Sequence, residues 1–345
     1  MRYRKLGRSN IKVSEIGFGA WTIGLDWWGK KIDDDEAKRM LKKAFDLGIN
    51  FFETADMYGK GKSEKVIGEA FKDMRNEIVL SSKWGYDMYS YDQVRDSEIP
   101  QKHNSEFLDF ALKQSLERLQ TDYIDVYSLH NPRIESIKDD RLFEALDNLV
   151  STGKIKSHGV ALGPAIGWEE EGIYAINNRN ITCLQTVYNI LEQDPGRLFF
   201  KNILRKNFDN NKPIDTSIYN LYDGYDVGIL IRVPDASGVL TGKVNENTVF
   251  SQNDHRSHRK KEWIIEAMKK IDKMKHIANS RGWSITELAI KFILSQKPVS
   301  VVLPTVTDLE EIEKFVNISD GNYLNSSELE QINQLYENNF YVQAQ

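Results

Sequence analysis

One cysteine, Cys183, stands in 345 residues. A lone thiol excludes an internal disulfide and any cysteine-cluster metal site, and it suits a reducing, cytoplasmic setting. Long apolar runs are also missing. None approaches the roughly 18 to 20 residues that a membrane helix needs, so no membrane partner is expected. The opening stretch "MRYRKLGRSNIKVSEIG" has basic residues but no apolar segment of the secretory-signal kind. Positive charge is not in excess either: 46 Lys and Arg against 51 Asp and Glu leave a net charge of −5. That balance argues against a nucleic-acid partner held through bulk charge. No G-x-G-x-x-G follows any apolar run, so the glycine fingerprint of an open dinucleotide-binding sheet is absent.

What is present alternates. Strand-like runs lie at 15–21, 50–55, 77–85, 123–130, 155–162, 182–188, 227–232 and 299–304. Amphipathic segments such as 33–48, 105–120 and 284–296 fall between them. Asp33 to Asp35 read as a helix cap and an acidic first turn, and Gly48 as a stop. Nearly continuous apolar strands alternating with helices indicate a parallel sheet covered on its outer face. Eight such units predict a (β/α)₈ TIM barrel of the α/β class, as one domain over 1–345. An N-terminal β-hairpin turning at Gly7 to Asn10 is expected to cap the bottom, and a helical extension to follow the barrel. An open doubly wound sheet is the alternative. The stretches 84–104, 208–226 and 243–259 are expected to be surface loops.

In such a barrel, chemistry gathers at the C-terminal ends of the strands. The polar residues there are Glu53 and Tyr58, Lys83, His130, Gln185 and Asn189, and Arg232. Lys83 closes the run "IVLSSK", where a cation is costly without an acid nearby. A lysine beside a tyrosine favours the phenolate and lowers the phenol pKa from about 10, suiting proton transfer near neutrality. A carboxylate holds the lysine, and a histidine can orient a substrate oxygen. The set reads as a proton-donating centre for reducing a carbonyl. The hydride must come from a cofactor, because no side chain supplies one.

The order acid–Thr–Ala–x–x–Tyr–Gly, then Lys after the third strand, then Leu-His after the fourth, resembles the aldo-keto reductases. "LGRSNIKVSEIGFGAW", "RLQTDYIDVYSLH", "GKIKSHGV", "QTVYNILEQ" and "SGVLTGK" extend the likeness over nearly the whole chain. The resemblance implies a barrel that reduces aldehydes and ketones with NADPH bound extended. It makes Tyr58 the general acid, Lys83 its tuner and His130 the group orienting the carbonyl, with Glu53 where the family has Asp. Asp56 falls at the wrong offset for that acid. Gly19, Ala20 and Trp21 correspond to a segment lining the cofactor or substrate pocket, and Gln185 to the glutamine that holds the carboxamide. Arg232, Val233, Pro234, Ser237, Leu240, Gly242 and Lys243 belong to the strand-seven end and the loop along the pyrophosphate.

Four departures from the family stand out. Glu53 adds about 1.5 Å of reach over Asp. Ala161 and Leu162 replace a Ser-Asn pair that grips the carboxamide. Arg232 replaces an aromatic, leaving open cofactor contact, substrate-anion contact or a structural ion pair. In 303–315, the segment matching the 2′-phosphate site, Thr305 and either Glu310 or Glu311 stand where basic residues are usual, with only Lys314 nearby. NADP(H) is favoured by the resemblance and NAD(H) stays open. Plainer readings accompany each residue: Tyr58 as packing, Lys83 as a snorkelling surface lysine, His130, Gln185 and Asn189 as satisfied strand-end groups. The stretch "NDHRSHRKKEW" is expected to start a solvated helix rather than bind metal. Trp27, Trp28, Trp84, Tyr86, Tyr89 and Tyr91 either wall a pocket or anchor loops. The expected partner is a small carbonyl substrate. A nucleotide-binding regulatory or scaffold protein, and an epimerase or lyase with tightly held nicotinamide, are the other functional readings. Nothing in these loops names the substrate, and the oligomeric state is open.

Overall fold

A computed structural model describes residues 1–92, 98–163, 167–207 and 225–342. Parts of the expected loops 84–104 and 208–226 lie outside the described residues. The chain opens with an antiparallel hairpin, β1 (Tyr3–Lys5) and β2 (Lys12–Ser14). Gly7 takes φ +50° at its turn, and a Cβ there would meet the Thr182 carbonyl at 2.0 Å. Only glycine lets the hairpin press so closely on the chain. Arg4 donates to the carbonyls of Leu294 at 2.6 Å and Val299 at 2.7 Å. The hairpin therefore lies across the N-terminal ends of the barrel strands.

Eight parallel strands follow: β3 (Phe18–Gly19), β4 (Phe51–Glu53), β5 (Val79–Trp84), β6 (Ile124–His130), β7 (Ile155–Ala161), β8 (Cys183–Val187), β9 (Gly228–Arg232) and β10 (Val299–Leu303). They pair in chain order. Ile16 bridges Val302 to close the ring, with Gly17 N–H donating to the Val302 carbonyl at 2.9 Å. The first expected run is the one most shortened. Beyond Gly19 the chain coils into a helical turn, Trp21–Gly24. Gly24 explains the bend, since a Cβ there would strike the Tyr58 backbone at 2.7 Å.

Helices cover the outside. Asp34–Asp46 is capped by Asp33, whose side chain accepts the Glu36 N–H at 2.8 Å, and the chain leaves it through Gly48 at φ +93°. Ser105–Leu119 is capped by Asn104, and Ile285–Leu294 by a Ser284–Glu287 capping box. Past the barrel's last helix, Leu309–Ile318, comes the C-terminal extension Ser326–Glu337. Among the described residues no helix is long and apolar enough to cross a membrane.

Strand parity positions the site. Leu6 and Val13 of the hairpin join Phe51, Val79, Val126, Cys183, Leu230 and Val301 in one buried apolar cluster inside the barrel. Side chains on a strand repeat with period two. Two or four positions further along, the same inward face carries Glu53, Lys83, His130, Gln185 and Arg232. An apolar plug thus gives way to a polar layer at the C-terminal mouth.

Candidate active site

A cavity of about 880 Å³ opens at that mouth, and Glu53, Tyr58, His130, Gln185 and Arg232 all line it. Lys83 lies beneath, 1% exposed, so its charge must be compensated inside the protein. Its ammonium donates to Glu53 Oε1 and, at 2.5 Å, to the Thr54 carbonyl. Glu53 Oε1 also accepts from Gln185 Nε2 at 3.0 Å. The longer acid therefore holds the lysine and the glutamine with one oxygen.

Tyr58 is placed by a turn in which its N–H donates to the Ala55 carbonyl at 3.1 Å, while its own carbonyl receives Ser63 N–H at 3.2 Å. The Lys83 ammonium sits 4.6 Å from the Tyr58 ring centroid. The His130 ring stands edge-on to Tyr58 at 5.9 Å and to Tyr86 at 5.2 Å. The net effect on the phenol differs from the expectation. Burial, and then the Glu53 carboxylate, push the Tyr58 pKa well above its ordinary value. The lysine does not win because Glu53 already neutralises it. Tyr58 consequently carries its proton at neutral pH, which suits an acid awaiting an oxygen anion. Burial, then Lys83 and Arg232, press the His130 pKa well below the usual imidazole range, so the ring is neutral. Its Nδ1 is buried without a hydrogen-bond partner. Burial likewise lowers the Lys83 pKa, against the pull of Glu53.

Asp56, set aside on its offset, does not line the cavity. Its N–H donates to the Lys83 carbonyl at 3.0 Å. Both carboxyl oxygens are buried and unpartnered, and burial followed by Glu64 drives the pKa well above the usual carboxylate range.

The remaining expected positions divide. Gly19, Trp21 and Val233 line the cavity. Ala20 is buried, its N–H donating to the Glu53 carbonyl at 2.8 Å. Asn189 serves the backbone: it accepts from Leu191 and Glu192 N–H and donates to the Val233 carbonyl at 3.1 Å. Arg232 Nη2 donates to the carbonyls of Leu162, at 2.5 Å, and Gly163. Those carbonyls follow β7 at the place where the resemblance expected a Ser-Asn grip. Beyond Arg232 a left-handed run at Val233, Ala236, Ser237, Gly238 and Gly242 curls the loop. On it Pro234 is buried, Ser237 accepts from Arg259 Nε at 3.1 Å, and the buried Leu240 offers its carbonyl to Thr286. Lys243 pairs with Glu311, and with Asp308 at 3.7 Å. Among the described residues Lys314 makes no ion pair, and Lys243 is the cation that these acids engage.

Several wall residues had no sequence signal. Asn131, at φ +52°, donates to the Tyr86 hydroxyl at 2.8 Å, and Gln101 donates to the Asn131 carbonyl at 2.9 Å. Trp168 lies 4.1 Å under the Arg133 guanidinium. Trp27 and Trp28 do wall the cavity, together with Trp21 and His255, whose rings meet at 5.7 Å. Arg256 covers Trp28 at 4.6 Å, so the 253–263 stretch packs on the mouth before the helix Lys261–Arg281 begins. Among the described residues no group of three or more His, Cys, Asp or Glu side chains is placed to hold a metal.

A closed parallel barrel with a buried Lys–acid pair under a tyrosine at its mouth defines a carbonyl-handling oxidoreductase class. The sequence model of the aldo/keto reductase family matches residues 15–337, and the chain belongs to that family. It is an NAD(P)-dependent oxidoreductase. It is 29% identical to an aldo-keto reductase of Bacillus subtilis, over 98% of this chain and 94% of that one. It is equally 29% identical to a probable voltage-gated potassium channel subunit beta of Oryza sativa subsp. japonica, over 90% of this chain and 89% of the relative. The holo form of an aldo-keto reductase from Bacillus halodurans superposes with a TM-score of 0.70 at 25% identity, covering 97% of this chain and 96% of that one.

Proposed function

We propose that the chain reduces a small aldehyde or ketone to the alcohol, reversibly, with Tyr58 delivering the proton. The observation that carries this reading is the Tyr58 ring stacked over the Lys83 ammonium and edge-on to His130, at one wall of the cavity. A bound reduced nicotinamide supplies hydride to the carbonyl carbon. Neutral His130 and the Tyr58 hydroxyl hold the carbonyl oxygen between them. As negative charge grows on that oxygen, the buried phenol gives up its proton to it. Lys83 and Glu53 fix the ring's underside without taking the proton.

The residues fit the nicotinamide end of such a cofactor. Gly19 leaves a flat backbone floor in the cavity, where a Cβ would come within 3.8 Å of Glu53 Oε2. Gln185, with its amide nitrogen spent on Glu53, keeps its oxygen for a carboxamide N–H. The curled loop from Val233 to Lys243, with Ser237 and Arg259, suits the diphosphate. At the far end, the segment that the resemblance assigns to the 2′-phosphate holds Lys243 in ion pairs with Glu311 and Asp308. An added phosphate there must compete with two carboxylates, which favours NAD(H) over NADP(H).

The test is Tyr58→Phe. Turnover with an aldehyde panel is expected to fall by about 10²- to 10⁴-fold, while NADH quenching of tryptophan fluorescence is unchanged. Undiminished turnover would remove the mechanism. The kinship with a potassium channel subunit beta supports a second reading, a nucleotide-binding regulatory subunit. Tight NADH binding without oxidation across the panel selects that reading.

A further inference from the structure

We propose that Arg232 is a positioning residue of the reaction, its guanidinium clamped at the mouth so that its charge stabilises the Tyr58 phenolate left after proton delivery. This rests on Tyr58 as the proton donor and adds a second cation to it.

The geometry begins with parity. Leu230 faces the barrel interior, so Arg232, two residues on, enters the polar layer from β9. Its Nη2 is fixed by the Leu162 and Gly163 carbonyls beyond β7, so the guanidinium spans the end of β8. Backbone carbonyls hold a guanidinium without cancelling its charge, and no carboxylate pairs with it among the described residues. Its Nε is buried and unpartnered. Lys83 is the opposite case. Its ammonium is committed to the Glu53 carboxylate and the Thr54 carbonyl, so little of its charge is left for the phenol.

Every charged or titratable neighbour of Tyr58 bears on this. Glu53 on β4, Asp56 in the following turn and Tyr86 beyond β5 push the phenol upward; Arg232 is the group pulling it down. His130 on β6 is neutral, and Lys83 on β5 is neutralised. When the substrate oxygen takes the proton, the phenol O–H bond breaks and its electron pair stays on the tyrosine oxygen. The new anion then stands near a buried carboxylate, Glu53. In a site shielded from water, the uncompensated guanidinium is what makes that state reachable.

The experiment is the pH profile of alcohol oxidation by the complete chain with saturating oxidised cofactor, where ionisation of Tyr58 switches activity on. Arg232→Gln is expected to displace the rising limb upward by about one pH unit or more, a rate about tenfold lower at any pH on that limb. Arg232→Lys keeps the charge and is expected to stay within about threefold of the unmodified chain. A merely structural role in holding residues 162 and 163 lowers the rate without moving the limb, and that result overturns the proposal. If Arg232→Gln does not fold, Arg232→Lys decides alone, since a limb moved up by a full unit with the charge retained also overturns it. If the unmodified chain oxidises no alcohol, the functional reading fails first. The tyrosinate absorbance of the cofactor-free protein, measured against Tyr58→Phe, then isolates Arg232: less tyrosinate in Arg232→Gln at high pH supports the proposal, and an equal amount overturns it.

Discussion

The two sides of the barrel mouth treat charge in opposite ways. Under Tyr58, Lys83 and Glu53 are almost wholly buried, and each hydrogen bond they make is internal. Beyond β9, Lys243 is half exposed and meets Glu311 and Asp308 at the surface. Buried pairs resist screening and are costly to break, whereas exposed pairs are weakened by water and salt. The proton-handling side should therefore be rigid and intolerant, and the loop side tunable.

The largest effect expected on stability comes from Lys83→Met. It leaves the Glu53 carboxylate buried with only Gln185 to bond it, at a cost of about 3–5 kcal/mol in denaturant unfolding. Adding Glu53→Gln should restore most of that loss; a double variant as unstable as the single one breaks the contrast.

Asp235 sharpens the comparison from the other side, being a buried acid on the loop flank with one oxygen unpartnered. Burial raises its carboxyl from 3.8 to about 6. The folded chain thus binds this proton more tightly than the unfolded chain. The stabilisation is complete below about pH 4 and is lost as pH rises through about 6. Asp235→Asn should match the unmodified chain in acid and exceed it by up to about 3 kcal/mol at pH 8, read by thermal unfolding. A variant with the same advantage at both pH values would contradict the assignment.

The smallest effect belongs to Glu311→Gln. It keeps an acceptor for the Thr307 N–H, which lies 2.7 Å from the glutamate, but releases Lys243. Binding of NADPH relative to NADH should improve by about fivefold at low salt and less at high salt. An effect as large as that of a buried pair would mean that the loop side is not the tunable one.

Much of this architecture was legible before any coordinates. All eight strands fall within the runs marked from apolar content, because burial on both faces leaves that signature. The Asp33 and Ser284 caps announce their helices through local chemistry alone. Glu53, Lys83 and His130 could be found as polar residues ending apolar strands, and period two brings them to one layer. What stayed hidden depends on the third dimension. Nothing local marks Asn131 for its positive φ, or links Trp168 to Arg133 across the mouth. Arg232 was left among three partners, none of them the backbone carbonyls it uses. The direction of the Tyr58 pKa went the other way because desolvation, not the adjacent lysine, dominates, and desolvation has no sequence motif.

Cys183 carries one more consequence. It points into the apolar plug, where burial pushes its thiol up to about 12. Such a sulfur ignores alkylating reagents until the strands around it part. Its modification rate is therefore a built-in clock for how often the barrel comes open, readable in the full-length protein without adding a probe.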